Sequence, residues 1–533
     1  MTTDHTSNPE LTTFLGHAQK LVQSGRGREA YGRAMPWLNH HPDDFSLLLF
    51  MARTAISLRQ YTTAVDHLSH LCDQEPDNVD LLIEYAMPLT YSGRYLDVEI
   101  ILDRAMVIMD DDEKTLEAAG AYYSLCNFHE KARNCFEKAL KLNPDSPSLN
   151  YNIGVCLRYL GDIDGAERSF QKARELNPAN AEVVYLLSGL RRQTQQSNHL
   201  EDITSMLETI RGNATSEATL CYALAKEYED LGEWEKSFEA LNRGAAARRS
   251  TLKYNGQQDL DVLKRTAALQ TKDYLASPAR SCDAKGPIFI LGMPRTGSTL
   301  VDTIISSHQD VFSAGELIDF PNQLKIQMGR VSADNPALAR DKLASSLKLN
   351  FRELGQGYLE SVKARIGPHN YFTDKLPLNF QYCGLIKRAL PEARIIHVHR
   401  DPMDSCYSIY KALFRSPYPH SYNLKELAEY YVGYFRLMQH WRDAMPGQIL
   451  DVKYEDVVAD HEGQSRQMID FCGLDWDPKC LDYRSTKAAI TTLSSTQVRS
   501  KIYSSSIGKW KHFTDQMAPA RKILDDAGIP YTT

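Results

Sequence analysis

The sequence of 533 residues predicts an all-α solenoid followed by an α/β domain with a central parallel sheet. Prolines and small residues recur at a fixed step through the first half, which is typical of stacked helix pairs. In the second half, two buried-strand patterns are each followed by a turn and a helix, as in parallel α/β folds. One of these turns has the glycine spacing of a phosphate-binding loop, so we expect a P-loop-like domain.

Composition indicates a folded chain of several domains. It is 43% hydrophobic and 24% charged, and the chain is too long for one compact core. The net charge of -7 gives no general reason to expect nucleic acid or an anionic membrane as partner. The N-terminal stretch lacks the basic and apolar regions of a signal peptide, which predicts a cytoplasmic protein. The ten cysteines lack metal-ligand spacing, so we expect reduced thiols and no metal site.

Residues 1–250 are predicted to form a repeat array. Residues recur at steps of 34 or multiples of it on two ladders, one of prolines (Pro42, Pro76, Pro144, Pro178) and one of small or β-branched residues (Ala30, Ala64, Val98, Ala132, Ala166). Small side chains let the two helices of a pair cross closely. The pattern resembles the tetratricopeptide repeat, and we expect roughly six or seven helix pairs.

Two uses of this array remain open from the sequence. The extended surface of a repeat array favours binding of a protein or peptide acceptor. The alternative is that the array serves as a rigid spacer or as a platform for a homodimer. Residues 251–285 are predicted to contain one bridging helix, "DLDVLKRTAALQTKDYLA", and then a turn-rich linker. The α/β domain is therefore expected to occupy residues 286–533.

The stretch "PIFILGMPRTGSTLVDTIISSH" predicts a buried strand, a glycine-bounded turn and an amphipathic helix that begins near Gly297. A helix N-terminus behind a tight loop binds anions through backbone N–H groups and the helix dipole. Arg295 adds a full positive charge and a planar donor fork. Ser298 stands where a nucleotide hydrolase of this loop type has lysine, which makes an ordinary Mg-nucleotide hydrolase a poor match.

A second strand pattern, "ARIIHVHR", precedes "DPMDSCYSIY". Asp401 is placed to cap a helix that starts at Pro402. Arg400 then lies at the carboxyl end of a buried strand, where open α/β sheets bind ligands. A strand-end arginine is as often a structural ion-pair partner, but beside a phosphate loop we expect a second anion contact.

The two motifs together resemble the sulfotransferase fold, and within it the protein-tyrosine sulfotransferase family. The resemblance covers about residues 285–512 and implies 3′-phosphoadenosine 5′-phosphosulfate as donor, without a metal. It implies that the phosphosulfate loop is formed by Arg295, Thr296, Gly297, Ser298 and Thr299. It implies 3′-phosphate contacts at Arg400 and Ser408, an adenine neighbour at Tyr454, and further donor contacts at Ser494, Ser495 and Lys509. A further arginine of the family has no match after Ser408.

The resemblance also implies the residues that act on the acceptor. In "SAGELIDF", Glu316 matches the glutamate base of the tyrosine-protein branch, and Lys375 in "FTDKLPLNF" matches a lysine near the leaving group. Arg295, Lys375 and Ser494 would then stabilise charge on the transferred group. Taken singly, Glu316 could be a solvated acid at a helix start and Lys375 a surface charge. His308 is expected to be structural and is the alternative base.

Two other functions remain open from the sequence. Related sulfotransferases share both phosphate motifs, so the acceptor could be a glycan or a small molecule instead of a protein tyrosine. A non-catalytic repeat scaffold with a degenerate nucleotide fold is the other alternative. The joint presence of Arg295, Glu316, Lys375 and Ser494 argues against the scaffold.

Overall fold

The computed structural model describes residues 9–210, 212–335, 337–414, 418–483 and 505–533. The chain divides into two compact units, Met1–Ser169 and Phe170–Thr533. Within the described residues, no helix is both long enough and apolar enough to cross a bilayer.

The first unit is built of helices that pack pairwise in sequence order. They are α1 (Pro9–Gln23), α2 (Gly27–His40), α3 (Phe45–Ser57), α4 (Tyr61–Gln74), α5 (Val79–Tyr91), α6 (Tyr95–Ile108), α7 (Glu113–Leu125), α8 (His129–Leu142), α9 (Pro147–Leu160) and the start of α10 (Ile163–Leu176). The small residues of the 34-residue ladder, from Ala30 to Ala166, are all fully buried at the helix crossings. The predicted period therefore reflects close helix packing.

A second set of residues with the same spacing explains where the first helix of each pair begins. Asp44, Asn78, Asp112, Ser146 and Asn180 are N-cap residues whose side-chain oxygens accept backbone N–H groups of the following turn. Each such cap satisfies an N–H group that the helix leaves without a partner, and is worth about 1 kcal/mol. The repeat is thus fixed both by its buried small residues and by its caps.

The second unit starts with more helices. They are α11 (Ala181–Leu190), α12 (Leu200–Thr209), α13 (Ala214–Leu231), α14 (Trp234–Ser250), α15 (Gly256–Leu269) and α16 (Lys272–Ala276). The prediction of one continuous bridging helix is wrong, because two non-helical residues separate α15 from α16. Gln270 already departs from helical geometry, with φ of −95° and ψ of 61°, and Thr271 after it is extended. The Thr271 hydroxyl then accepts the N–H of Tyr274 to start α16.

Helices α13 and α14 pack directly on the C-terminal part of the chain. The Tyr222 hydroxyl on α13 donates to the carbonyl of Tyr410 at 3.0 Å. On α14, the ring of Phe238 lies 5.1 Å from that of Phe513. Tyr222, Phe238, Tyr410 and Phe513 are buried in one apolar cluster. This helix pair therefore shares its core with the sheet domain.

A five-stranded parallel sheet forms the centre of the second unit. Its strands are β1 (Pro287–Gly292), β2 (Val311–Ser313), β3 (Tyr371–Lys375), β4 (Arg394–His399) and β5 (Ile449–Lys453), in the spatial order β2-β3-β1-β4-β5. Ile290 is in register with Lys375 of β3 and with Ile396 of β4. The predicted α/β architecture with a central parallel sheet is confirmed.

Both faces of the sheet are covered. In β1, Phe289 and Leu291 enter one apolar cluster, and Ile288 and Ile290 enter another. Alternate residues of a strand point to opposite faces, so a strand buried on both sides is apolar throughout. The covering elements include α17 (Ser298–Ser306), α18 (Asp319–Asp334), α19 (Lys342–Ser346), α20 (Phe351–Ile366), α21 (Cys383–Ala389), α22 (Pro402–Tyr410), α23 (Leu424–Ala444), α24 (Tyr454–Ala459), α25 (His461–Phe471), α26 (Ala518–Asp526) and the 3₁₀ helices Leu338–Arg340, Pro377–Tyr382, Pro419–Tyr422, Pro478–Leu481 and Lys509–Phe513.

Two local predictions can be compared with these elements. Asp401 caps α22 as expected, because its carboxylate accepts the N–H groups of Met403 and Asp404. The predicted amphipathic helix is α17, whose polar residues, such as Ser298 and Asp302, are enclosed together with its apolar ones. Its residues from Ser298 to Ile305 are all buried, because the helix lies between the sheet and α25 and has no solvent-facing side over this length.

Candidate active site

The residues predicted to act together follow the carboxyl ends of all five strands. The loop with Arg295 follows β1, Glu316 follows β2 and Lys375 ends β3. Arg400 follows β4, and Tyr454 follows β5. Because all five strands are parallel, their carboxyl ends meet at one edge of the sheet. Side chains that are far apart in the sequence are thereby brought to one site.

The loop after β1 has a backbone that ordinary residues rarely adopt. Arg295 has φ of +65°, and Gly297, the N-cap of α17, has φ of +103°. A Cβ atom at Gly297 would lie 2.6 Å from Cδ2 of Tyr454, so only glycine fits beneath that ring. Left-handed conformations at non-glycine residues cluster at functional sites. This loop turns the chain so that the N-terminus of α17 faces the edge of the sheet.

The hydroxyl of Thr296 anchors the loop. It donates to the carbonyl of Met293 at 2.8 Å and lies 3.1 Å from the carbonyl oxygen of Val398 on β4. Ser298 and Thr299 lie buried in the first turn of α17. What Thr296 can offer an anion is therefore its backbone N–H rather than its hydroxyl, and the helix dipole adds positive potential there.

Glu316 and Lys375 form an ion pair. The Lys375 side chain is only 2% exposed, whereas that of Glu316 is 48% exposed. Lys375 is therefore not a surface charge, and Glu316 lies in a loop before α18 rather than at a helix start. Because β3 pairs with β1, Lys375 lies beside the strand that leads into the Arg295 loop, and the Glu316 carboxylate bound to it is open to solvent.

Asp302 on α17 binds the two strands that lead to this pair, β2 and β3. Its role was not found from the sequence. Its carboxylate accepts hydrogen bonds from Thr373 at 2.5 Å and Ser313 at 3.0 Å. Burial raises the pKa of Asp302, while Lys375 and the two hydroxyls oppose that rise. Asp302 looks in sequence like any acid on a helix, so no local signal marks it.

Arg400 is 7% exposed and fixed on three sides. Its guanidinium donates to the carbonyl of Ser506, lies 3.5 Å from a carboxylate oxygen of Asp404, and stands 5.1 Å above the ring of Tyr454. Its buried Nε–H has no hydrogen-bond partner among the described residues. Ser408 is buried two turns further along α22. An unpaired buried donor is costly, which makes this a position suited to an anionic ligand.

The last predicted donor contacts lie in the C-terminal segment. Lys509 starts the 3₁₀ helix Lys509–Phe513, and its amine is paired with Glu229 on α13. The hydroxyls of Tyr454 and Ser506 lie 3.2 Å apart, so this segment reaches the loop after β5. Ser494 and Ser495 lie outside the described residues.

His308 has a structural environment. Its Nε2 lies 2.8 Å from the carbonyl oxygen of Asp475, and its Nδ1 accepts the N–H of Asp310 at 3.2 Å. Both ring nitrogens are thus occupied by backbone groups. In the part of the chain that the structure describes, no three His, Cys, Asp or Glu side chains are grouped as metal ligands. None of the ten cysteines, all of which lie in the described ranges, forms a disulfide, and all except Cys282 are buried.

Comparison with known proteins assigns the two parts of the chain. Residues 287–478 match the model of the sulfotransferase family, and residues 127–181 match that of the tetratricopeptide repeat. The chain carries a sulfotransferase-family domain after tetratricopeptide repeats. The sulfotransferase-family match spans all five strands and the loops after β1, β2, β3, β4 and β5, which carry the candidate site.

Several known proteins are similar to this chain at low identity. An uncharacterized protein of Aquifex aeolicus is 27% identical over 380 residues, which are 69% of this chain and 49% of that protein. The chain thus spans about half the length of this relative. Protein-tyrosine sulfotransferase 1 of Danio rerio is 22% identical over 254 residues, covering 46% of this chain and 71% of that protein. The solved sulfotransferase domain from the curacin biosynthetic pathway is 19% identical, covers 47% of this chain and all of that chain, and superposes with a TM-score of 0.34.

Proposed function

We propose that this protein transfers a sulfuryl group from 3′-phosphoadenosine 5′-phosphosulfate to a tyrosine hydroxyl of a protein or peptide. The observation that carries the proposal is the meeting of Arg295, Glu316, Lys375, Arg400 and Tyr454 at one edge of the sheet. These residues supply positive charge for a phosphorylated donor and one exposed carboxylate for an acceptor. Sulfuryl transfer resembles phosphoryl transfer in needing positioning and charge stabilisation most.

The donor would bind along β1 and β4. Backbone N–H groups from Thr296 to Thr299 and the Arg295 side chain would hold the phosphosulfate. The unpaired Nε–H of Arg400 and the hydroxyl of Ser408 would bind the 3′-phosphate. Tyr454, whose ring covers Gly297, would contact the adenine. When bound, the donor supplies the sulfuryl group and a phosphate leaving group, and Lys509 and Ser495 would add further contacts.

The acceptor would approach from the Glu316 side. Glu316 would take the proton of the attacking hydroxyl, and a phenol with a pKa near 10 gives up this proton more readily than an aliphatic alcohol. Lys375 holds the Glu316 carboxylate and would stabilise negative charge on the transferred group together with Arg295 and Ser494. The Glu316 side chain is 48% exposed, so an acceptor hydroxyl could reach its carboxylate from solvent.

Tyrosine is supported as the acceptor by two lines of argument. Relatives that match this chain include protein-tyrosine sulfotransferases of Danio rerio and Drosophila melanogaster, at 22% identity each. In addition, the repeats offer a cavity of about 620 Å³ between α1 and α3, lined by residues that include Leu15, Val22, Leu49 and Arg53. Such a cavity on a repeat array could grip a protein acceptor and raise its local concentration. The reduced cysteines suit a reaction in the cytoplasm.

The test is sulfate transfer from labelled donor to three acceptors in parallel: a tyrosine-containing peptide, a hexosamine polymer and a simple phenol. We expect transfer to the peptide and slower transfer to the phenol. Glu316→Gln serves as the catalytic control, because it keeps the size of the side chain and removes its basicity. Transfer to the polymer alone would reassign the acceptor, and transfer to none of the three would overturn the proposal.

A further inference from the structure

One carboxylate of α13, in the part of the chain predicted to form repeats, contacts the proposed donor site. Glu229, near the end of α13, has only 11% of its side chain exposed. The Lys411 amine donates to its two oxygens at 2.9 and 3.0 Å, and the Tyr407 hydroxyl donates to Oε2 at 2.6 Å. The Lys509 amine donates to Oε1. All four of these hydrogen bonds come from residues far from α13 in the sequence, beyond position 400.

These donors belong to the two segments that carry proposed donor contacts. Tyr407 and Lys411 lie at the end of α22, the helix that follows Arg400 and carries Ser408. Lys509 begins the segment after Ser506, whose carbonyl accepts from Arg400. The two segments also meet through Asp404, which accepts the N–H of Gly508 at 2.6 Å. Glu229 is therefore a second connection between them, and it is the one that fixes the lysine amine.

The charges explain why this connection matters. Lys411 and Lys509 share Oε1 of Glu229, so two like charges are held close together by one anion. Burial would raise the pKa of Glu229, but Lys411 and Lys509 lower it below its usual range. Burial lowers the pKa of Lys411, with Lys509 and Arg295 acting in the same direction and Glu229 opposing. Without the carboxylate, the two ammonium groups would repel each other.

We propose that Glu229 is a positioning residue of the donor site, which holds Lys509 against α22 before the nucleotide binds. Through it, the α13–α14 pair becomes part of the nucleotide site, although both helices lie in the region predicted to form repeats. A lysine that is already ordered costs less entropy when it meets a phosphate. This inference rests on the proposed function, since it takes Lys509 as a donor contact.

The experiment is a double-mutant cycle on the full chain, with adenosine 3′,5′-bisphosphate binding measured by calorimetry. Glu229→Gln should weaken binding by about tenfold in the natural background. In the Lys509→Met background the same substitution should change the Kd by less than about twofold, because the residue through which it acts is gone. The matched control is Glu217→Gln, which lies on α13 like Glu229 and breaks a partly exposed ion pair with Arg243 of α14.

Each outcome has a distinct reading. If the unmodified protein does not bind the bisphosphate, the proposed function fails, and this inference fails with it. If the unmodified protein binds and Glu229→Gln weakens binding equally in both backgrounds, the effect is general and the positioning role is wrong. Tighter binding by Glu229→Gln would show that the carboxylate competes with phosphate for Lys509, which also overturns the inference.

A second variant covers a failure to fold. Removal of one partner from a buried charge cluster can unfold a protein, so each variant is first checked by thermal unfolding. If Glu229→Gln is unfolded, Glu229→Asp keeps the charge but shortens the side chain, and the same cycle is run with it. The inference then requires that Glu229→Asp weakens binding in the natural background and has no effect in the Lys509→Met background. An unchanged Kd in the natural background overturns it.

Discussion

Replacing Gly297 with alanine perturbs the proposed site at one defined point. At φ of +103°, a residue with a Cβ atom is strained by about 1 to 2 kcal/mol. The new Cβ would also lie 2.6, 3.3 and 3.4 Å from three ring atoms of Tyr454, and overpacking of this kind costs about 1 to 3 kcal/mol. We therefore expect a total cost of about 2 to 5 kcal/mol, divided between folding stability and nucleotide binding.

The assay has two parts and two controls. Denaturant unfolding gives the loss of stability, and calorimetry with adenosine 3′,5′-bisphosphate gives the loss of affinity. Gly528→Ala is the control for backbone strain alone, because Gly528 has φ of +68° and open space around its Cβ position. In a Tyr454→Ala background, the cost of Gly297→Ala should fall to the backbone part. If Gly297→Ala costs no more than Gly528→Ala, the Tyr454 ring imposes no packing constraint on this position, contrary to the prediction.

Four further predictions concern single residues. Glu316→Gln should lower turnover by about 100-fold or more while the Kd of adenosine 3′,5′-bisphosphate stays within about twofold; substantial remaining turnover would remove Glu316 as base. Arg400→Ala should do the reverse and weaken nucleotide binding by about 2 to 5 kcal/mol in calorimetry, and an unchanged Kd would contradict the assigned phosphate contact. Leu49→Asp, in the α1–α3 cavity, should raise the KM for a protein acceptor by about tenfold and leave kcat and the KM for a simple phenol unchanged; equal effects on both acceptors would exclude gripping there. Burial lowers the pKa of His420 to about 3 from 6.5, so the unfolded chain binds more protons between these values and stability rises with pH across that window. His420→Phe should remove about 2 kcal/mol of the difference in unfolding free energy between pH 5 and pH 7, and an unchanged difference would show that His420 does not titrate as described.

Local signals in the sequence predicted the parts of the fold that local physics determines. The 34-residue ladder marks buried helix crossings such as Ala64 and Ala132, which are fully buried. The β1 pattern predicts a strand enclosed on both faces, and Asp401 predicts the start of α22. Each of these features depends on packing or capping between residues close in the sequence. Each can therefore be predicted without knowledge of the rest of the chain.

The residues that the sequence did not reveal depend on long-range contacts. Glu229 meets Lys509, although 280 positions separate them, and nothing near either residue signals the pair. Asp302 looks like an acid on an exposed helix face until the sheet buries it. The assigned roles of Glu316, Lys375 and the donor contacts came from family resemblance, and the domain boundary at residue 250 stays a prediction.

The most direct test of the central claim is calorimetric titration of the full chain with adenosine 3′,5′-bisphosphate in the presence of a metal chelator. Arg295, Arg400 and the N-terminus of α17 supply the positive potential for this ligand from the protein itself. We therefore predict one site per chain, unaffected by chelator and clearly preferred over ATP. Absence of binding, loss of binding on chelation, or a preference for ATP would contradict the account.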